Sequence, residues 1–134
     1  MSRAGRIVNY EQNSLSEKER AHQTQMIMKL FQFWHLTNKQ QAIVLGLSPN
    51  TGTSIDNYKK GGYLPQYRDI QDRVGHLFAI HKYLRRVYPL NKELAYRWMT
   101  TPNADFNNQS PFDVICQEGY MGVVRIRNYL EFNE

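Results

Sequence analysis

The sequence predicts an all-α fold in which a helix-turn-helix half packs, through one long helix, onto a small C-terminal helical half. Apolar residues recur three and four positions apart in several segments, the spacing that places them on one face of an α-helix. Capping residues such as Thr37 and Ser110 precede these segments, and Gly46, Pro89 or Gly119 follow them. With 41% hydrophobic and 22% charged residues, a chain of 134 residues can bury a core of its own.

The N-terminal part of the chain is predicted to be a mobile arm over residues 1–23. This stretch is polar and has no sustained apolar pattern, apart from Leu15 and a short helix expected from Ser14 to Ala21. The first core helix is predicted from Gln25 to Trp34. Its apolar stripe consists of Met26, Ile27, Leu30, Phe31 and Trp34.

Two short helices separated by a turn are predicted next. Thr37 is a typical N-cap, and Gln40 completes a capping-box pattern before a helix that stops at Gly46. After Leu47-Ser48-Pro49, a second helix is expected from about Thr53 to Lys60, closed by two glycines. Short helix, tight turn and short helix is the helix-turn-helix pattern, although a generic helical hairpin remains an alternative.

In a helix-turn-helix protein the second helix enters the major groove of DNA. The candidates for contacts with bases are Thr53, Ser54, Asn57 and Lys60, because amides and hydroxyls can read base edges. Lys59, Lys60 and Arg68 could neutralise phosphates. Residues 1–90 carry thirteen Lys or Arg against six Asp or Glu, whereas residues 91–134 carry four against six. The first part therefore suits a polyanion better than the last part, unless these groups are merely solvated.

A long helix is predicted from Gln66 to Tyr88, ending before Pro89, and it should connect the two halves. His76 and His81 are five residues apart, not the four that would align two ligands on one helical face, so we expect no metal and no cofactor. Cys116 is the single cysteine. A lone thiol and the absence of a long apolar stretch or leader favour a cytoplasmic protein with no membrane association.

The last third has clear helix boundaries. Asn91 should cap a helix through Thr100 that presents Leu94, Ala95, Trp98 and Met99, followed by the loop TPNADFNNQ. Ser110, Pro111 and Asp113 form the next helix start, Gly119 ends that helix, and a terminal helix should run from Tyr120 to Phe132. Core packing is expected of Trp34, Phe78, Trp98 and Phe112.

These residues carry a family resemblance that covers roughly residues 25–132. The segment that resembles the C-terminal toxin-binding domain of the Xre/MbcA/ParS antitoxin family is ELAYRWMTTPNADFNNQSPFDVICQEGYMGVVRIRNYLEF. Its hallmarks are a Trp-containing helix, Pro-Asn, a Ser-Pro helix start, a glycine and a Val-rich closing helix. The upstream part of this chain resembles the Xre-type helix-turn-helix half of the same proteins. It reads WHLTNKQQAIVLGLSPNTGTSIDNYKKG followed by LPQYRDIQDRVGHLFAIHKYLRRVYP.

The resemblance implies an antitoxin of a type II toxin-antitoxin system. Such a protein binds a RES-domain toxin that destroys NAD, and it represses its own operon by binding operator double-stranded DNA. Residues 24–88 would form the Xre-like domain and residues 89–134 the toxin-binding domain. The resemblance also implies that the chain itself is not an enzyme, which agrees with a sequence that shows no nucleophile next to a base and no phosphate-binding glycine loop.

Inhibition is expected to be steric, with the terminal helix and Glu131 to Glu134 closest to the toxin. A homodimer is also expected, since helix-turn-helix proteins read paired half-sites. A stand-alone helix-turn-helix transcriptional regulator and a pure protein-interaction adaptor remain alternatives. The candidates for toxin contacts, some of which could instead be core edge, are Asn103, Phe106, Tyr120, Tyr129, Phe132 and Glu134.

Overall fold

The computed structural model describes residues 15–48 and 52–133, with only the backbone at residues 52 and 53. Within these ranges the fold is all-α, as predicted, and it contains seven α-helices and two short 3₁₀ helices. The 3₁₀ helices are Trp98–Thr100 and Ala104–Phe106. The α-helices are α1 (Glu17–Phe33), α2 (Asn38–Leu45), α3 (Gly52–Lys59), α4 (Arg68–Val87), α5 (Lys92–Arg97), α6 (Pro111–Glu118) and α7 (Tyr120–Phe132).

Helix α1 starts eight residues earlier than the predicted Gln25. Ser16 and Glu19 form a capping box, in which each side chain accepts a hydrogen bond from the other residue's backbone N–H. The part of the predicted arm from Glu17 to Gln23 is therefore helical, and Gln23 bonds to Gln71 of α4 at 2.8 Å. Residues 1–14 of that arm lie outside the described residues.

The two predicted short helices are present. Thr37 caps α2 with Gln40 in a capping box, and Gly46 ends it in the left-handed conformation at φ 79°. Ile55 of α3 is fully buried. Two hydrogen bonds connect the helices: the Asn38 amide donates to the Asp56 carboxylate at 2.8 Å, and the Lys59 ammonium donates to the Asn38 amide oxygen at 2.6 Å. The turn between them includes residues that lie outside the described ranges.

Helix α4 contacts helices from both the N-terminal and the C-terminal parts of the chain. It contacts α1 and α2 as well as α5 and α7. Among the described residues, the buried apolar side chains from Ile27 of α1 to Leu130 of α7 belong to a single core. Trp34 and Phe112 are in this core as predicted, whereas Phe78 and Trp98 are only partly buried against it.

The C-terminal helices start and stop where the sequence predicts. The Asn91 side chain caps α5, and Ser110 caps α6 with Pro111 at the first helical position and Asp113 completing a capping box. The predicted helix to Thr100 becomes a 3₁₀ helix from Trp98 onward. Across the described ranges, we find no helix that is long and apolar enough to cross a bilayer.

Candidate functional site

The candidate DNA contacts lie mainly on α3. The Asn57 and Lys60 side chains are exposed, while Ser54 is half-buried. Thr53 is the second residue of α3, but its side chain is outside what the structure describes. Arg68 is exposed at the start of α4, separated from α3 by the segment 60–67. The structure thus places four of the described candidates, Lys59 included, on one short helix and its end, and a fifth on another helix.

Lys59 is also exposed, but its ammonium group donates to Asn38 of α2. Since an ammonium group has three donors, this bond leaves hydrogen-bonding capacity for a phosphate. The α2–α3 pair is further held by Asp56, which accepts from Asn38. These bonds fix the orientation of α3 against α2 with the Asn57 and Lys60 side chains in solvent.

The second candidate site is an aromatic cluster in the C-terminal half. The rings of Trp98 and Tyr129 stack with centroids 6.1 Å apart, and Phe106 packs on Tyr129 at 4.9 Å. The Tyr129 hydroxyl donates a short hydrogen bond to Asp105. That bond to the carboxylate raises the pKa of Tyr129 above its ordinary value. The loop residues 103–106 are thereby held against α7.

This cluster encloses one of the predicted toxin contacts, Phe106. Phe106 is only 4% exposed, because its ring is enclosed between Trp98 and Tyr129. Its ring therefore packs the loop against α7 and exposes little surface in the free protein. Asn103 is half-buried, and its side chain caps the 3₁₀ helix that contains Phe106 by accepting from the Asp105 N–H at 2.9 Å.

The remaining predicted toxin contacts are dispersed. Phe132 is 83% exposed at the end of α7, and Glu134 lies outside the described residues. Tyr120, at the start of α7, instead contacts α4, where its hydroxyl is 3.3 Å from His76 Nε2 and its ring lies under the Arg73 guanidinium at 5.7 Å. Asn103, Phe106 and Tyr129 are thus brought together, whereas Tyr120 packs on a different element.

His76 links α4 to α7. Arg127 approaches His76 Nδ1 at 3.0 Å, and since a guanidinium can only donate, Nδ1 accepts and the neutral ring donates from Nε2 to Tyr120. Burial, with a contribution from the Arg127 charge, lowers the pKa of His76. In the part of the chain that the structure describes, no three His, Cys, Asp or Glu residues converge as a metal site would require.

A groove of about 450 Å³ adjoins the aromatic cluster. We call it the α5 groove; it is lined by Tyr88, by Leu94, Arg97 and Trp98, and by the loop residues 101–104. Leu94 is 50% exposed, and nearby in sequence Leu90 is 98% exposed. This combination of exposed apolar side chains and a half-buried tryptophan is typical of protein-binding surfaces.

Sequence reasoning had assigned Trp98 to the core and had not selected Tyr88 or Leu94. A signal was nevertheless present, because the short helix carries two apolar pairs, Leu94 with Trp98 and Ala95 with Met99, on adjacent faces. Ala95 and Met99 are buried. A short surface helix has only one face against the core, so the other pair lines the groove.

Two comparisons relate this chain to known proteins. Residues 83–131 match the family model described as the antitoxin Xre/MbcA/ParS C-terminal toxin-binding domain. The chain is also 34% identical over 98 residues to the uncharacterized protein y4oB of Sinorhizobium fredii, an alignment that covers 73% of each chain. The aromatic cluster and the whole lining of the α5 groove lie inside the matched residues.

Proposed function

Because the chain belongs to the Xre/MbcA/ParS antitoxin family, we propose that it neutralises a RES-type toxin that degrades NAD and that it represses its own operon. In this proposal, residues 24–88 bind operator DNA and residues 89–134 bind the toxin. The protein acts in the bacterial cytoplasm as a homodimer and is itself not an enzyme.

The observation that carries the toxin-binding part is the exposed apolar surface within residues 83–131. Leu90 and Leu94 present large apolar side chains to solvent within the matched domain, and Phe132 does so one residue beyond it. A partner that covers such a surface gains the hydrophobic free energy of burying it. Covering the toxin's active-site entrance excludes NAD without any chemical step.

We further propose that the acidic end of α7 lies closest to the toxin, where Glu131 and Glu134 would pair with cations that otherwise hold the dinucleotide phosphates. Deleting residues 131–134 should then weaken both affinity and inhibition. Unchanged inhibition by the shortened protein would remove the acidic end from the proposal and leave the rest intact.

The DNA-binding part rests on α3 and on the charge distribution. Asn57 and Lys60 extend from α3 into solvent, where an amide can pair with adenine and an ammonium group with phosphate. The basic excess lies in residues 1–90, and the acidic excess in residues 91–134. DNA would thus be attracted to the half that carries α3 and repelled from the half that faces the toxin.

The decisive experiment is co-expression of the full chain with the protein encoded by the adjacent gene. We expect that protein to stop growth and deplete NAD when expressed alone, and to be harmless and to co-purify when this chain is present. Toxicity that persists with both proteins soluble would refute the neutralising role.

A stand-alone helix-turn-helix transcriptional regulator is the second candidate, because the exposed polar face of α3 does not require a toxin. This candidate predicts a harmless adjacent protein and operator binding by this chain alone. In either case, binding should weaken steeply as salt rises, since phosphate contacts release counterions. Salt-independent or absent DNA binding would contradict both DNA-binding roles.

A further inference from the structure

We propose that the α5 groove receives an apolar side chain of the toxin, as a contact separate from the acidic end of α7. This inference rests on the proposed antitoxin function and adds the site and the chemistry of one contact. The groove has room for a large side chain, with a volume of about 450 Å³. Its apolar lining comes from Leu94, Trp98, Pro102 and Ala104, and its polar edge from Arg97 and Asn103.

At the base of the groove, the Trp98 ring is held by contacts with other aromatic rings in the free protein. Trp98 is stacked on Tyr129 with an interplanar angle of 23°, and it meets Phe106 edge-on with centroids 6.3 Å apart. Tyr129 is in turn tied to the Asp105 carboxylate. A partner side chain therefore meets a tryptophan that is already held in one position, which reduces the entropy lost on binding.

Hydrogen bonds hold the opposite side of the groove, which is formed by residues 101–104. The Thr101 hydroxyl donates to the Arg97 carbonyl at 2.7 Å. The Asn103 N–H donates to the Gln109 carbonyl at 3.1 Å, which closes the loop on itself. Because ring contacts hold Trp98 and hydrogen bonds hold residues 101–104, both sides of the groove are positioned within the free protein.

The toxin is the occupant that the position of the groove favours. Every lining residue belongs to the segment 83–131 that matches the toxin-binding domain. A second apolar groove, between α1 and α4, is lined by Met26 and Phe78 and lies outside that segment. The groove therefore lies within the domain assigned to the toxin and shares Leu94 with its exposed apolar residues. Tryptophan is among the residue types enriched at the energetic centre of protein interfaces.

The test uses the purified product of the adjacent gene and measures its binding to the full-length chain. Ala104→Trp places a large ring in the groove from an exposed position. Leu94→Gln replaces an apolar side chain of the lining with a polar one. Met26→Gln is the matched control, because Met26 is 44% exposed and Leu94 50%. We expect both groove variants to weaken binding by about tenfold or more and the control to stay within about twofold. Circular dichroism must show native helix content for each variant.

A second readout follows Trp98 directly. Trp34 is fully buried while Trp98 is only partly buried, so acrylamide should quench mainly Trp98 in the free protein. Binding of the adjacent-gene protein should protect that fluorescence. Absence of binding by the wild-type chain would overturn the proposed function itself. Wild-type affinity in both groove variants would overturn this inference alone, as would a change in self-association at unchanged toxin affinity, which would assign the groove to a second copy.

Discussion

Helix α7 approaches α6 so closely that a single methyl group should force the two apart. At Gly122, an added Cβ would lie 2.8 Å from the Val114 carbonyl oxygen and 2.9 Å from the Ile115 Cα. Both are backbone atoms of α6, so no side-chain rotation can relieve the contact. Gly75 of α4 is also helical, but a Cβ there would meet nothing within 4 Å. Gly122→Ala and Gly75→Ala are therefore the same change in two different surroundings.

The two variants should shift stability in opposite directions. Each gains about 1 kcal/mol from the higher helix propensity of alanine. At Gly122 this gain is opposed by an overpacking cost of about 3 kcal/mol, the upper end of the usual range, because backbone must move. We expect Gly122→Ala to lose about 2 kcal/mol and Gly75→Ala to gain about 1 kcal/mol. Their melting temperatures should then differ by roughly 10 °C in thermal denaturation followed by circular dichroism. Equal stability of the two variants would refute the close approach of α6 and α7.

Three other measurements address the caps, the His76 contact and the DNA-binding face. Ser110→Ala should lower the free energy of unfolding by about 1 kcal/mol in urea titrations, since it removes the acceptor of the Asp113 N–H. Ser110→Asp should retain most of that stability, because an aspartate side chain can also accept at an N-cap. The lowered pKa of His76 means that the unfolded chain binds this proton more tightly, so stability should fall as the pH drops below about 6.5. His76→Gln, which keeps an acceptor for Arg127, should show a smaller loss of melting temperature between about pH 7.5 and about pH 5.5; equal losses would exclude this contact as a source of the pH dependence. Lys60→Ala should lower the slope of log affinity against log salt for operator DNA by about 1, and an unchanged slope would place Lys60 away from phosphate.

Short-range patterns were sufficient for most helix boundaries. The Thr37 and Ser110 capping boxes and the Gly46 stop involve groups within four residues of each other, so the sequence alone displays them. At Ser16 and Glu19, where a capping box begins α1, the sequence predicts only a short helix from Ser14 to Ala21, because the first turns of α1 lack an apolar stripe. These turns are stabilised from a distance by contacts such as Arg20 with the Leu64 carbonyl.

The sequence by itself determined the all-α class, the order of the helices and the resemblance to the antitoxin family, because caps, periodicity and motif order are local properties of the chain. Only the tertiary structure decided which apolar residues face solvent. Leu94 and Phe106 are both large and apolar, yet Leu94 is half-exposed and Phe106 is enclosed by Trp98 and Tyr129. The α5 groove arises in the same way, because the packing of α7 against the 101–109 loop leaves one face of α5 uncovered, and that packing joins residues more than twenty positions apart.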